Sequence, residues 1–322
     1  MGKLNLMSLS PLDKRIPQWD VGSLEHRNCP FCGGKAGSLS YRRPDNLEVR
    51  RCSNCETHFV SPAPSVESLN QFYSSYHLSH FGGLDETADE VKFALEGRNP
   101  YLDVRIQVVS SLLEIDGSRV LDVGCGKGHF LFQMKRVGAD VCGVDVDSDA
   151  AKFANNIGIK RVHVGSIESF EDEQGFDLIS LNDVIEHPLD PRGLLERCTE
   201  LLKRNGLLLI WTPNGDRIES DAEKTTLRVD LEHLQYLGAS TLDVITKSLP
   251  LRIVHYESLG YPVLDGVFGE VSKNGLRKML FRNFARRMPG FKYLNEMRIW
   301  VGKGSRERMG NYHLFCILRK SG

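Results

Sequence analysis

Between about residue 119 and residue 213 the chain alternates two spacings of apolar side chains. RVLDVGC, ADVCGVDVD, VHVG, FDLISLND and GLLLIWTPN are short apolar runs, rich in Val, Ile and Leu and bounded by Gly, Asp or Asn, which reads as buried strands. HFLFQMKRVG, SDAAKFANNIG and PRGLLERCTELLKRNG lie between them and repeat apolar residues at three- and four-residue steps, the period of a helix. Such alternation predicts an α/β fold, a parallel sheet with helices on both faces. A helical ASTLDVITKSL, a strand LRIVHYESL, a basic insertion of nearly fifty residues and a last strand YHLFCILRK follow.

The N-terminal third has other patterns. Residues 1–25 show no sustained period and read as a lead-in. Residues 26–64 hold two short strand candidates, LSYRR and LEVRRC, between cysteine pairs. From residue 65 to about 115 the pattern turns helical, in SVESLNQFYSSYH and DVRIQVVSSLLEI; residues 65–105 read as a cap leading into the main domain, 106–322, whose basic insertion spans 263–310.

Composition adds little until charge is followed along the chain. At 322 residues, 41% hydrophobic and 26% charged, the chain is an ordinary globular one with room for a sizeable core. No apolar run approaches the roughly 20 residues that cross a bilayer, and Pro11, Asp13, Lys14, Arg15 and Pro17 interrupt the first thirty residues, so a cytoplasmic protein is expected. Residues 266–322 carry 13 Lys and Arg against 3 Asp and Glu, whereas residues 1–265 carry 28 against 39. Within the basic part, Leu276, Leu280, Phe284 and Met288 recur at four-residue steps with Arg282, Arg286 and Arg287 between them. A helix over 276–288 of this kind suits peripheral contact with an anionic membrane, a phosphate-bearing acceptor, or simple packing over the sheet. Nucleic acid is disfavoured, because no recognition motif or aromatic-rich strand accompanies the charge.

Four of the eight cysteines form two close pairs, Cys29 and Cys32 in CPFCG and Cys52 and Cys55 in CSNC. The resulting C-x2-C-x19-C-x2-C brings four thiolates from two tight knuckles onto one tetrahedral Zn2+, a metal that would supply folding free energy to so small a unit. Paired disulfides and free thiols are the alternatives. Cys125, Cys142, Cys198 and Cys316 stand alone in apolar segments and read as small hydrophobes.

The first strand of the alternating region runs into GCGKGHF, giving Asp122-x-Gly124-x-Gly126-x-Gly128. Glycines here let the backbone pass close under a ligand, and the following helix N-terminus offers unpaired N–H groups. Asp145, at the end of the next strand and 21 residues beyond Gly124, is placed to accept two ribose hydroxyls. A nicotinamide-dependent oxidoreductase would show the same acid, but its fingerprint is G-x-G-x-x-G, not G-x-G-x-G. The spacing suits a nucleoside with an amino-acid tail.

LDVGCGKGHF, GVDVD, FDLISLNDVIEHPLDP, NGLLLIWTPN and DLEHLQYLGASTLDVITKS resemble, in order and spacing, the class I S-adenosylmethionine-dependent methyltransferases, over about residues 106–322. CPFCG…CSNCETHFVSPAPSVESLNQFYSSYH is similar to the zinc-ribbon attachment in a branch of that family acting on small molecules, including sugars and natural products. The resemblance implies a Rossmann-like sheet of seven strands, with YHLFCILRK inserted antiparallel beside LRIVHYESL. It implies that Gly124 and Gly126 line the methionine part of the cofactor, that Asp122 orders their loop, and that Asp145 holds the ribose. Ser166 and the backbone of Ile167 stand at the adenine, and Asn182 lies beside the sulfonium or carboxypropyl chain.

NDVIEHPLDP follows the fourth strand of this pattern. Its D-x-x-E-H is similar to the E-x-x-E-H of ubiquinone-type O-methyltransferases, which implies a divalent cation such as Mg2+ on Asp183, Glu186 and His187. His187 is also a candidate general base, or a structural residue of a turn before a helix that Asp190 caps and Pro191 opens. His233, in DLEHLQYLG, is a rival base, or else a solvent-facing residue at a helix end. Tyr73 and Tyr76 either close over the site or pack. The expected function is methyl transfer from S-adenosylmethionine to a hydroxyl of a small molecule, a sugar (nucleotide-linked or lipid-linked included) or another secondary metabolite. C- or N-methylation, an NAD-dependent oxidoreductase and a non-catalytic zinc-ribbon binding module are the alternatives.

Overall fold

The structure, a computed structural model, describes residues 17, 19–69, 71–72, 87–99, 103–218, 231–259 and 312–322. Tyr73, Tyr76 and the basic insertion with its 276–288 segment lie outside the described residues.

Among the described residues, eleven strands build two sheets: β1 (Ala36–Arg42), β2 (Glu48–Cys52), β3 (His58–Val60), β4 (Arg119–Val123), β5 (Asp140–Asp145), β6 (Val162–Val164), β7 (Phe176–Asn182), β8 (Leu202–Pro213), β9 (Gln235–Tyr236), β10 (Leu251–Leu259) and β11 (His313–Lys320). The larger sheet has the order β10-β11-β8-β7-β4-β5-β6. Its pairs from β8 to β6 are parallel, and β11 alone runs antiparallel, between β8 and β10. This is the seven-stranded, Rossmann-like arrangement expected. Strand order reverses at β4, and open α/β sheets bind ligands outside the carboxyl ends of their strands at such a switch point.

Alternating side chains of the central strands feed two cores. Leu121, Val123, Ile179, Leu181, Leu208 and Ile210 face one way, onto α5 (Pro191–Leu201), α6 (Ala239–Ser248) and the cysteine-bearing ribbon. Val120, Leu178, Leu207, Leu209 and Trp211 face the other, with α1 (Ala88–Glu96), α2 (Val104–Leu112), α3 (His129–Arg136) and α4 (Ser148–Asn156) on that side. Both faces are covered, so the central strands β4, β7 and β8 read as nearly continuous apolar runs.

The helical pattern PRGLLERCTELLKRNG ends earlier than its period suggests. α5 stops at Leu201, and β8 already begins at Leu202, which pairs with Phe176 ahead of a register shift. Asn205 takes a left-handed φ of 63°, a turn that breaks the helical repeat.

The smaller sheet has the order β1-β2-β3-β9. Its fourth strand comes from beyond β8: β9 pairs antiparallel with β3, His58 opposite Tyr236 and Phe59 opposite Gln235. The ribbon is thus zipped onto the segment that carries His233. Among the described residues no helix is long and apolar enough to cross a membrane.

Candidate functional site

The turn after β4 is built on glycines in the left-handed region, where a side chain is strained: Gly124 at φ 66°, Gly126 at 49° and Gly128 at 78°. The space around each differs. A Cβ on Gly124 would stand 2.6 Å from the Val184 side chain, so the NDVIEH loop lies against the glycine turn. At Gly126 a Cβ would meet nothing within 4 Å, which leaves an open cradle under the N-terminus of α3.

Asp145 fixes that cradle from the end of β5. Its Oδ2 accepts from Gly126 N at 2.6 Å and its Oδ1 from Asp147 N at 2.8 Å. Burial raises its carboxyl above the usual range, against these backbone donors. Val146, the next residue, is 72% exposed, an apolar side chain at the mouth of the crevice. Beyond β6, Ser166 is exposed and Ile167 buried, opening a short 3-10 turn over Ile167–Ser169.

Asp122 lies under the cradle, buried, and its Oδ1 accepts from Ser180 Oγ at 2.6 Å and Asn182 Nδ2 at 3.0 Å. Burial pushes its carboxyl up to about 7, while the two hydrogen bonds and Arg105 pull the other way. Asn182 is therefore a link: its Oδ1 accepts from Arg105 Nη1 at 2.9 Å. Arg105 is itself held by Asp103 at 2.8 Å, and its guanidinium lies 5.1 Å from the Phe130 ring centroid and 5.4 Å from that of Trp211. This cation at the crevice was missed by sequence reasoning, because an Arg in the first turn of a helix has the signature of a solvated residue.

The loop after β7 and the segment before β9 form the other half of the site. His187 and His233 meet edge to face, with ring centroids 4.9 Å apart, and His233 Nε2 is 3.9 Å from Glu186 Oε1. Glu186 is fully buried, with Oε2 accepting from Thr212 Oγ1 at 2.8 Å. Burial pushes His187 down to about 4. Burial also lowers His233 well below its ordinary value, with help from His187, Arg43 and His313. Both imidazoles are neutral at pH 7. His233 is buried, which excludes the expected alternative of a helix-end residue facing solvent.

The cation triad Asp183, Glu186 and His187 is not assembled. Asp183 is exposed, at a left-handed φ of 51° with its N–H committed to Trp211 O, and the donors that approach within 4.8 Å are those of Glu186, His187 and His233. One carboxylate and two imidazoles do not suit Mg2+, which prefers oxygen ligands. Asp190 does cap α5, its Oδ1 accepting from Gly193 N at 2.9 Å, with Pro191 at the first turn.

Cys29, Cys32, Cys52 and Cys55 converge, all four Sγ atoms within 4.8 Å of one another. Cys29 and Cys55 are 3.6 Å apart and Cys32 and Cys52 3.5 Å, close to the roughly 3.8 Å edge of a tetrahedral Zn–S4 site and far from a disulfide. Gly34 N and Asn54 N each point at a Sγ at 3.4 Å, as backbone amides do around thiolates. The contact shared by Cys29 and Cys55 lowers the Cys55 thiol and raises that of Cys29, and burial raises Cys32. The donor set fits zinc.

A family model described as a methyltransferase domain matches residues 96–256, half of the chain. The chain belongs to the class I S-adenosylmethionine-dependent methyltransferase family. A ubiquinone biosynthesis O-methyltransferase of Xanthomonas oryzae pv. oryzae is 36% identical over 134 residues, which are 39% of this chain and 55% of that protein. One from Xanthomonas campestris pv. campestris is 31% identical over 161 residues, 47% and 66% of the two chains. This methyltransferase-family chain thus spans about half the length of the first of these relatives. Among solved structures, the 1,6-didemethyltoxoflavin-N1-methyltransferase of Burkholderia thailandensis, with its substrate and S-adenosylhomocysteine bound, is similar over 89% of this chain and 100% of its own, at 16% identity and a TM-score of 0.47.

Proposed function

We propose that the protein moves the methyl group of S-adenosylmethionine to a hydroxyl of a small molecule, a sugar or another secondary metabolite. The observation that carries this reading is the cradle at Gly126, open above and tied by its N–H to Asp145. Each oxygen of Asp145 retains acceptor capacity for one ribose hydroxyl. Val146 offers an apolar face to the adenine, and Ser166 with the backbone of Ile167 reaches its edge. Asp122 and Asn182 hold the glycine turn, and Arg105 supplies the positive charge that suits the carboxylate of the methionine part. The bound cofactor supplies a methyl already activated on a sulfonium.

What remains for the protein is alignment and proton removal. Val184, three residues before His187 in the NDVIEH loop, packs over Gly124, which supports an acceptor position between that loop and the cradle. His187 is the candidate base for the acceptor proton, and His233 stacks behind it. A neutral imidazole accepts that proton without first losing one. The four cysteines would hold a structural Zn2+.

The test is mass spectrometry of metabolite pools incubated with protein and cofactor carrying a deuterated methyl group. A product heavier by one labelled methyl supports the proposal. Unchanged pools across sugars, phenols and amines, with a protein that binds the cofactor, would sink it.

A further inference from the structure

Two ribbon arginines reach out of their own sheet and grip the segment that carries His233. Arg43 and Asp45 form a buried ion pair, both side chains fully excluded from solvent. All five N–H donors of Arg43 have targets: Nε and Nη2 go to Asp45 at 3.1 and 2.5 Å, Nη2 also to Leu231 O at 2.5 Å, and Nη1 to His233 O at 2.5 Å and Tyr236 OH at 3.3 Å. Arg27 donates to Leu234 O at 2.8 Å and Gln235 Oε1 at 3.0 Å, and to Leu189 O at 3.2 Å on the other loop. Leu231, His233 and Leu234 therefore give their carbonyls to the ribbon.

The same segment is stapled to the loop that carries His187. Leu234 N donates to Glu186 O at 2.7 Å, and Gln235 Nε2 donates to Ile185 O and Pro188 O, both at 2.8 Å. On the ribbon side, Cys55 Sγ touches Thr57 Oγ1 at 3.2 Å, and Thr57 Oγ1 bonds Thr241 Oγ1 at 2.7 Å in α6, just past β9. None of these contacts reaches Gly124, Gly126 or Asp145.

We propose that Arg43, assisted by Arg27, is a positioning residue for the His187–His233 pair, so that the metal-bearing ribbon forms the back wall of the acceptor side and leaves the cofactor side untouched. This rests on the reading that the two histidines face the acceptor. A guanidinium suits the task because its planar fork of five donors binds a carboxylate at both oxygens together with two carbonyls and a hydroxyl, more than the three donors of a Lys ammonium can serve. The ribbon is then a working part of the site and not an appended tag. Its hydrophilic YRRPDN stretch conceals this, since such a run reads as a solvated turn.

The test uses the full zinc-loaded chain with S-adenosylhomocysteine and needs no acceptor. Arg43→Met is made together with Asp45→Asn, which removes the charge otherwise left buried, and Arg27→Met is a second, milder variant. Zinc content, S-adenosylhomocysteine affinity and amide hydrogen exchange are measured. The expected result is exchange at least about tenfold faster over 231–237 and 183–190, unchanged exchange over 119–145, retained zinc and an affinity within about twofold of wild type. Once an acceptor is identified, kcat should fall while the KM for S-adenosylmethionine holds. Unchanged exchange over 231–237 in both variants overturns the proposal. Loss of zinc or of affinity along with faster exchange in both also overturns it, because the arginines would then hold the whole fold. Failure of the wild-type chain to bind S-adenosylhomocysteine refutes the proposed function instead.

Discussion

Replacing Asp145 with Asn keeps the size of the side chain and removes its charge. The two carboxylate oxygens divide their work, Oδ2 on Gly126 N at 2.6 Å and Oδ1 on Asp147 N at 2.8 Å. A carboxylate offers about four acceptor positions, so roughly one on each oxygen is left for a ribose hydroxyl. Asn retains one oxygen. Its NH2 then faces either Gly126 N or Asp147 N, donor against donor, and one hydroxyl loses its charged acceptor. A hydrogen bond to a charged group contributes roughly 1.5–3 kcal/mol, so the lost ribose bond and the weakened cradle together cost about 2–4 kcal/mol of binding. That is a rise of about 30- to 1000-fold in the Kd for S-adenosylhomocysteine. Stability should change less, by about 1 kcal/mol, because burial already makes the ionised carboxyl costly and the neutral amide removes that cost. Calorimetry and urea unfolding of the same preparations separate the two effects. A Kd within threefold of wild type would refute the assignment of Asp145 to the ribose.

Gly126→Ala should lower stability by only about 1–2 kcal/mol, the cost of a left-handed Ala in open space, yet weaken S-adenosylhomocysteine binding by at least about tenfold as the methyl enters the ligand's path; equal losses in urea unfolding and calorimetry would count against the cradle. His187→Gln should leave that affinity unchanged and slow transfer by about 10²- to 10⁴-fold, the range for loss of a general base; a normal rate with the identified acceptor would remove His187 from the chemistry. Asp122 gives a pH dependence. Its folded-state carboxyl is raised to about 7, so its contribution to stability is fully present below about pH 4, where the unfolded carboxyl is also protonated, and is lost as pH rises through 7. Asp122→Asn should therefore gain stability relative to wild type between pH 5 and pH 8 in urea titrations, and a constant difference at the two pH values would contradict the raised carboxyl.

The central strands of the large sheet were legible because both of its faces are covered there, which turns each into a short apolar run between polar ends. The antiparallel β11 is legible only through the resemblance, as no spacing distinguishes it from β10. The cysteine knuckles and the glycine turn were read from spacing alone, since metal geometry and left-handed backbone restrict residue type locally. What fastens the proposed acceptor side was hidden. Arg43 and Arg27 join it through contacts across 162 to 208 positions of sequence, and a buried Arg has the same signature as an exposed one until its partners are placed, whereas His233 itself stood out as a candidate base. Asp183 failed as a ligand for the opposite reason: its motif was local, but the left-handed turn at that residue takes it out of the group that Glu186, His187 and His233 form.

Calorimetric titration of the full zinc-loaded chain with S-adenosylhomocysteine, with NADH as the control, bears most directly on the assignment of the crevice. Saturable binding of S-adenosylhomocysteine, one per chain, with no heat from NADH is the predicted result. A folded, zinc-loaded chain that gives no heat with S-adenosylhomocysteine would contradict it.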